Sequence, residues 1–129
     1  MIINEENYVK KAEKVIFELD SRLDKKGRKA GVATTSQIRN ILAMSADIYN
    51  LAIVHTEDKL PENIISKIEY LKIRIIYDAG RDNKVKDLVK EAELIECISE
   101  INGSKKNFIL FNHYIEAIVA YRKYIGKDS

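Results

Sequence analysis

The chain reads as an all-α protein, a compact five-helix bundle, and three observations carry that expectation. Apolar residues return every three or four positions along most of the length. The single proline, Pro61, and the five glycines fall between the periodic segments. Residues that favour strands nowhere alternate with polar ones over a useful length. At 129 residues the chain suits one helical domain spanning residues 1–129, and its short connections favour antiparallel neighbours.

The first helix is expected from about Glu5 to Lys25, with Val9, Ala12, Ile16, Leu19 and Leu23 as its apolar stripe. A loop rich in Lys and Gly follows. Thr34-Thr35-Ser36-Gln37 then reads as a helix start, in which Thr34 is the cap and Gln37, three positions later, completes a capping box. This second helix, about 35–55, turns Ile38, Ile41, Leu42, Ser45, Ile48, Tyr49 and Ala52 inward. Pro61 suits the first turn of a third helix, about 61–79, where its missing N–H costs nothing, and Gly80 can supply the left-handed residue that stops it. Asp82 is placed to cap a fourth, about 82–101, with Val85, Leu88, Val89, Ala92 and Ile95 as its stripe and Asn102-Gly103 as its close. Ser104 can cap a fifth, about 104–125. Phe108, Ile109, Phe111, Tyr114, Ile115, Ile118, Val119, Tyr121, Tyr124 and Ile125 make that helix apolar or aromatic on most sides. A helix of this kind is central, or it carries a partner surface.

The third helix separates two faces most clearly. At ~100° per residue, Ile64, Ile68, Leu71, Ile75 and Ala79 share one side, while Tyr70, Arg74, Tyr77 and Arg81 lie within an arc of about 60° on the other. Guanidinium forks alternating with aromatic rings suit a single-stranded nucleic acid, because Arg pairs with phosphate oxygens and a ring stacks on any base. The plainer alternative is that the rings cover neighbouring helices and the Arg heads reach water. Lys72 falls within the apolar arc, so its ammonium must either escape along a groove or pair with a carboxylate or phosphate.

Whole-molecule charge is nearly balanced at +2 and does not argue for a polyanionic partner. Local segregation exists: residues 1–33 carry eight Lys or Arg against six Asp or Glu, whereas residues 82–103 carry three against six. Such a distribution permits a basic surface beside an acidic one. Lys25, Lys26, Arg28 and Lys29 crowd a loop made adaptable by Gly27 and Gly31. That loop leads to the start of the second helix, where free N–H groups, the Ser36 hydroxyl and nearby Arg39 and Asn40 offer a phosphate site.

Signs of catalysis are thin. Cys97 is the only cysteine, so neither an intrachain disulfide nor a thiolate zinc site can be assembled, and it is expected to be a buried apolar residue. His55 and His113, the only histidines, lack an Arg five positions upstream, the spacing used by some helical ribonucleases: Asn50 and Phe108 stand there. No nucleotide-binding loop, zinc-ligand pair or nucleophile elbow is present. The chain reads as a binder without catalytic residues, metal or cofactor. The N-terminal residues lack the basic flank and apolar core of a signal peptide, so a cytoplasmic protein is expected.

Three strings, in this order and spacing, carry a resemblance. They are Thr34-Thr35-Ser36-Gln37-Ile38-Arg39-Asn40-Ile41-Leu42, the segment Tyr70-Leu71-Lys72-Ile73-Arg74 through Tyr77-Asp78-Ala79-Gly80-Arg81, and Asn107-Phe108 through Tyr121-Arg122-Lys123-Tyr124. Together they resemble the small helical subunit of type III-A CRISPR interference complexes, the Csm family, over roughly Thr34 to Ile125. The resemblance implies a non-catalytic subunit, stacked with copies of itself as the inner filament of a ribonucleoprotein. It would lie beside the backbone and large subunits and help hold target single-stranded RNA on the guide RNA, with cleavage left to other subunits. It also implies an RNA-facing set of Ser36, Gln37, Arg39, Lys72, Arg74 and Arg81; Lys25, Lys26, Arg28 and Lys29 join on charge alone. The alternative is a helical protein–protein adaptor or dimer without RNA contact, using the aromatic fifth helix. A small ribonuclease depending on His113 is a further, weaker rival.

Overall fold

The computed structural model describes residues 1–127, and among these the structure is helical without a sheet. Six helices follow in order: α1 (Tyr8–Ser21), α2 (Thr35–Ala52), α3 (Glu62–Arg81), α4 (Asn83–Glu91), α5 (Leu94–Ser99) and α6 (Lys105–Ile125). The all-α bundle expected from periodicity is present, with the fourth expected helix divided in two.

Helix α6 is the centre. It packs most extensively against α1 and α2, while α3 joins α2 on one side and α4 and α5 on the other. Phe108, Phe111, Tyr114 and Ile115 are completely buried, which resolves the aromatic helix as core rather than partner surface over most of its length. Only its last turn is different, with Tyr124 80% exposed. A buried polar link joins α6 to α2, where Ser45 Oγ donates to Asn112 Oδ1 at 2.7 Å. Burial makes that bond hard to exchange for water, so it sets the register of the two helices.

Helix α1 is shorter than expected at both ends. Ala12, Val15, Ile16 and Leu19 form its buried side, whereas Val9 and Leu23 are exposed. Asn4 and Asn7 make a local turn ahead of it, and Arg22 is already extended, with φ −67° and ψ 146°. The capping box at α2 forms as expected: Gln37 N–H donates to Thr34 Oγ1, and Thr34 N–H donates to Gln37 Oε1. Pro61 stands as the cap of α3 rather than inside its first turn. Gly80 does not stop α3, which continues to Arg81 and ends because Asp82 is extended at φ −142°.

The division between α4 and α5 falls at Glu93, which is left-handed at φ 55°. No glycine or proline marks it. The neighbouring Ala92 carbonyl accepts a 2.9 Å hydrogen bond from the buried Tyr114 hydroxyl, and Lys11 of α1 reaches the Glu93 carboxylate at 2.9 Å. Contacts from α6 and α1 thus hold a backbone geometry that the local residues do not favour. At the other end of the bundle, Asp58 ties the α2–α3 loop to α6, accepting from Ser104 Oγ and Lys106 N–H at 2.9 Å each. Those donors, Lys106 first, hold its carboxyl below the usual range. Asn102 and Gly103, both left-handed, make the expected turn before the Ser104 cap.

Tyr114→Phe tests the α4–α5 break. Losing the hydroxyl leaves the Ala92 carbonyl without its buried partner, and urea denaturation should show a loss of about 1–2 kcal/mol with little change in m.

Candidate nucleic-acid interface

The α3 stripe is built as the sequence predicts. Ile64, Ile68, Leu71, Ile75 and Ala79 are its buried residues, and their burial fixes the rotation of the helix. Tyr70 and Tyr77 consequently face outward, 61% and 53% exposed. The guanidinium carbons of Arg74 and Arg81 lie 5.3 and 5.5 Å from the centroid of the same Tyr77 ring. Tyr77 therefore acts as a seat that gathers two cations, each exposed contact being worth about 0.5–1 kcal/mol, rather than as an unobstructed stacking platform. Tyr70 leans toward α2, where it closes a shallow apolar recess with Met44, Ile48 and Leu51. The plainer reading of the rings thus applies to Tyr70 and the cationic one to Tyr77.

The start of α2 approaches the end of α3. Gln37, besides its capping role, donates through Nε2 to Asp82 Oδ2 at 3.1 Å, and Asp82 Oδ1 accepts from the N–H groups of Lys84 and Val85. One carboxylate therefore caps α4 and ties it to α2. The Val85 N–H bond, followed by those from Gln37 and Lys84, holds the Asp82 carboxyl below its ordinary value. Both ends of the Gln37 amide are engaged, so its first role is structural. Beyond this junction a cleft of about 240 Å³ opens, lined by Gln37, Asn40, Asp78, Arg81, Asp82 and Val85.

The candidates from the sequence divide accordingly. Gln37 and Arg81 share the cleft, and Ser36, Arg39 and Asn40 are exposed on the adjoining turns of α2. Lys72 does not join them. It lies ~180° around α3 from Arg81, and its Nζ donates to Ser99 Oγ at 3.0 Å on α5. This is the escape route open to a lysine in an apolar arc, and no phosphate is needed to explain it.

The basic loop is more constrained than its glycines suggest. Asp24 Oδ1 accepts from the N–H groups of Lys26 and Arg28, Arg28 Nε stands 3.5 Å from Asp24, and Lys29 Nζ donates to the Asp20 carbonyl. Gly27 is left-handed at φ 79°, as this closure requires, and Leu23 pairs with Lys29 across it. Gly31, also left-handed, packs against the Lys84 side chain of α4. Much of the acidic excess over 82–103 is likewise engaged internally: Glu93 with Lys11, Asp87 with Arg22 at 3.2 Å, and Glu100 with the Ile2 N–H. Glu91 and Glu96 remain exposed.

The histidines have local partners. His55 Nε2 meets the Lys59 carbonyl at 3.0 Å, and His113 lies 6.4 and 6.2 Å from the rings of Tyr8 and Tyr49. Cys97 is buried, and desolvation pushes its thiol up to about 12, far from a nucleophile's range. Asp78 is the cleft residue that pattern reading missed. Its only signal was a position at the border between the Arg strip and the apolar stripe.

Fold and surface together define a small all-α protein whose distinctive face is a paired guanidinium strip beside a polar cleft. Comparison with known proteins gives that class a family: residues 9–128 match the Csm2 Type III-A family, and the chain belongs to it. It is 37% identical over 128 residues to the CRISPR system Cms protein Csm2 of Streptococcus thermophilus, covering 98% of each chain. The protein of the same description from Mycobacterium tuberculosis strain CDC 1551 / Oshkosh is 33% identical over 130 residues, with 100% of each chain covered. That from Enterococcus italicus is 31% identical over 120 residues, covering 88% of this chain and 85% of its own.

Asp82→Ala tests the junction that aligns α2 with α4. At neutral pH the loss should be about 1 kcal/mol, the usual cost of a helix cap. Because the folded-state carboxyl lies below the ordinary 3.8, its contribution is complete above that value and is lost as pH falls through the folded-state pKa. The Tm difference between wild type and variant should therefore be steady from pH 7 to about 5 and narrow below 3.8.

Proposed function

We propose that this chain is the non-catalytic small subunit of a type III-A CRISPR ribonucleoprotein. In this reading it stacks with copies of itself along the inner filament, beside the backbone and large subunits, and holds target RNA against guide RNA through contacts to phosphate and sugar. Family membership supports the assignment to the complex. The single observation that carries the RNA contact is the gathering of Arg74 and Arg81 on Tyr77, next to the exposed start of α2.

Contacts of this kind carry no sequence information, which a subunit serving changing guides requires. Arg74, Arg81, Arg39 and Ser36 form the principal face. Gln37 supports it by holding the helices together. Lys72, on the far side of α3, would meet a different strand or a neighbouring subunit, and Lys25, Lys26, Arg28 and Lys29 would add a peripheral attraction. No helix of the described residues is long and apolar enough to cross a membrane, and we place the protein with its complex in the cytoplasm. No catalytic residue, metal or cofactor has a part in this reading.

A helical adaptor without RNA contact is the second reading, favoured by Ile73 and Ile76, which are 59% and 51% exposed on the flank of α3. Salt titration separates the two. Wild-type protein should bind unrelated single-stranded RNAs at about 10⁻⁴ to 10⁻⁶ M, and Arg74→Ala/Arg81→Ala should weaken binding and reduce the slope of log K against log salt by about 1.4. Lys72→Ala should weaken it less than Arg81→Ala alone. Absence of any binding by the folded wild type at low salt would leave the adaptor.

A further inference from the structure

The cleft between α2 and α3 is chemically unlike the strip beside it. Of its two carboxylates, Asp82 is engaged with Gln37 and the start of α4. The half-buried Asp78 carboxylate has no hydrogen-bond or ion-pair partner among the described residues. Beside it stand the exposed Asn40 and Arg81, whose guanidinium is seated on Tyr77. Two carboxylates against one guanidinium make the cleft unsuited to a phosphate, which would be held at the rim by Arg81 and Arg74. What an unengaged carboxylate requires is a neutral donor.

On the reading of the strip as a phosphate track, the sugar of the same nucleotide comes within reach of the cleft. The donor that every ribonucleotide presents there, whatever its base, is the 2′-hydroxyl, which can donate one hydrogen bond and accept another. A carboxylate accepting from a ribose hydroxyl is an established way for proteins to read that sugar. We propose that Asp78 accepts a hydrogen bond from a ribose 2′-hydroxyl while Asn40 or Arg81 donates to its oxygen. The cleft is thus a sugar-reading site that makes this chain prefer RNA to DNA of the same sequence. Arg74 and Arg81 supply attraction common to both polymers, and Asp78 supplies the difference. On DNA its charge finds no donor and repels the backbone.

This inference rests on the proposed RNA contact, and the test separates their failures. Fluorescence anisotropy would compare three labelled strands of about 30 nucleotides and one sequence, at one low salt concentration: RNA, its 2′-deoxy form and its 2′-O-methyl form. The last retains the ribose pucker and the oxygen but lacks the donor. RNA should bind about tenfold tighter than either of the others, a ratio in the range for a hydrogen bond to a charged group. Asp78→Ala, which removes the acceptor that Asn would retain, should bring the RNA to DNA ratio close to one by losing the 2′-hydroxyl bond and relieving the repulsion of DNA, with folding checked by circular dichroism. Equal wild-type binding to all three strands, still lost in Arg74→Ala/Arg81→Ala, overturns the sugar-reading site and leaves the phosphate strip. A preference that survives Asp78→Ala overturns the role of Asp78. No binding to any strand overturns both.

Discussion

Helix α6 carries apolar or aromatic side chains around most of its circumference, and a helix of that composition is stable in water only when other helices enclose it. Meeting that requirement arranges the rest of the molecule. Helices α1 and α2 flank α6, α5 touches it, and the Tyr114 hydroxyl buried in the middle must find an acceptor. It finds the Ala92 carbonyl, and the chain breaks there into α4 and α5. The same enclosure places Asn112 opposite Ser45, so a buried polar contact between α6 and α2 is satisfied without water. Helix α3 then closes the outer side with its own apolar stripe. Its outward face is therefore a consequence of core packing: with Ile64, Ile68, Leu71, Ile75 and Ala79 committed inward, Arg74, Tyr77 and Arg81 are left on the outer side, where they meet one another.

The junction at Asp82 converts that packing into a surface with defined spacing. A carboxylate that caps α4 and also accepts from Gln37 links three helix ends, one of them belonging to α2. Asn40 and Arg39 are thereby carried on the same rigid body as Arg81. A site assembled from helix turns keeps its geometry better than one made of loops. The basic loop before α2, although hydrogen-bonded through Asp24, lies outside this framework and contributes charge more than shape.

Legibility followed the range of the interaction. The α3 stripe and the capping box of α2 depend on residues within a few turns, and spacing exposed both. Helix ends determined locally were also readable: Thr34, Asp82 and Ser104 are caps, and Asn102-Gly103 is a turn. The break at Glu93 was not readable, because its causes are a tyrosine on α6 and a lysine on α1. Gly80 misled for a related reason. Glycine permits a left-handed stop but does not demand one, and the extended Asp82, held by its own capping bonds, ended the helix two residues later than expected. Gln37 was legible as a cap, yet its second bond, to Asp82 45 residues away, was hidden. Lys72 looked anomalous in one helix and ordinary once α5 was beside it.

The charge balance of the candidate face bears on how such a subunit could act without holding on to every polyanion it meets. A net charge of +2 and a cleft containing two carboxylates keep long-range attraction small, so in the proposed reading affinity would depend on a few short contacts at Arg74, Arg81 and the start of α2. One copy making two to four phosphate contacts lies near the non-specific limit, and free RNA would leave it quickly. In the proposed filament, several copies held in register would present the same contacts at high effective concentration, and the strand would then be retained without any single contact becoming strong. On that proposal, weakness in the isolated chain would be a useful property: retention would follow from assembly on a guide, and a bundle whose candidate contacts sit on rigid helix turns could be repeated along a strand without being remade at each step.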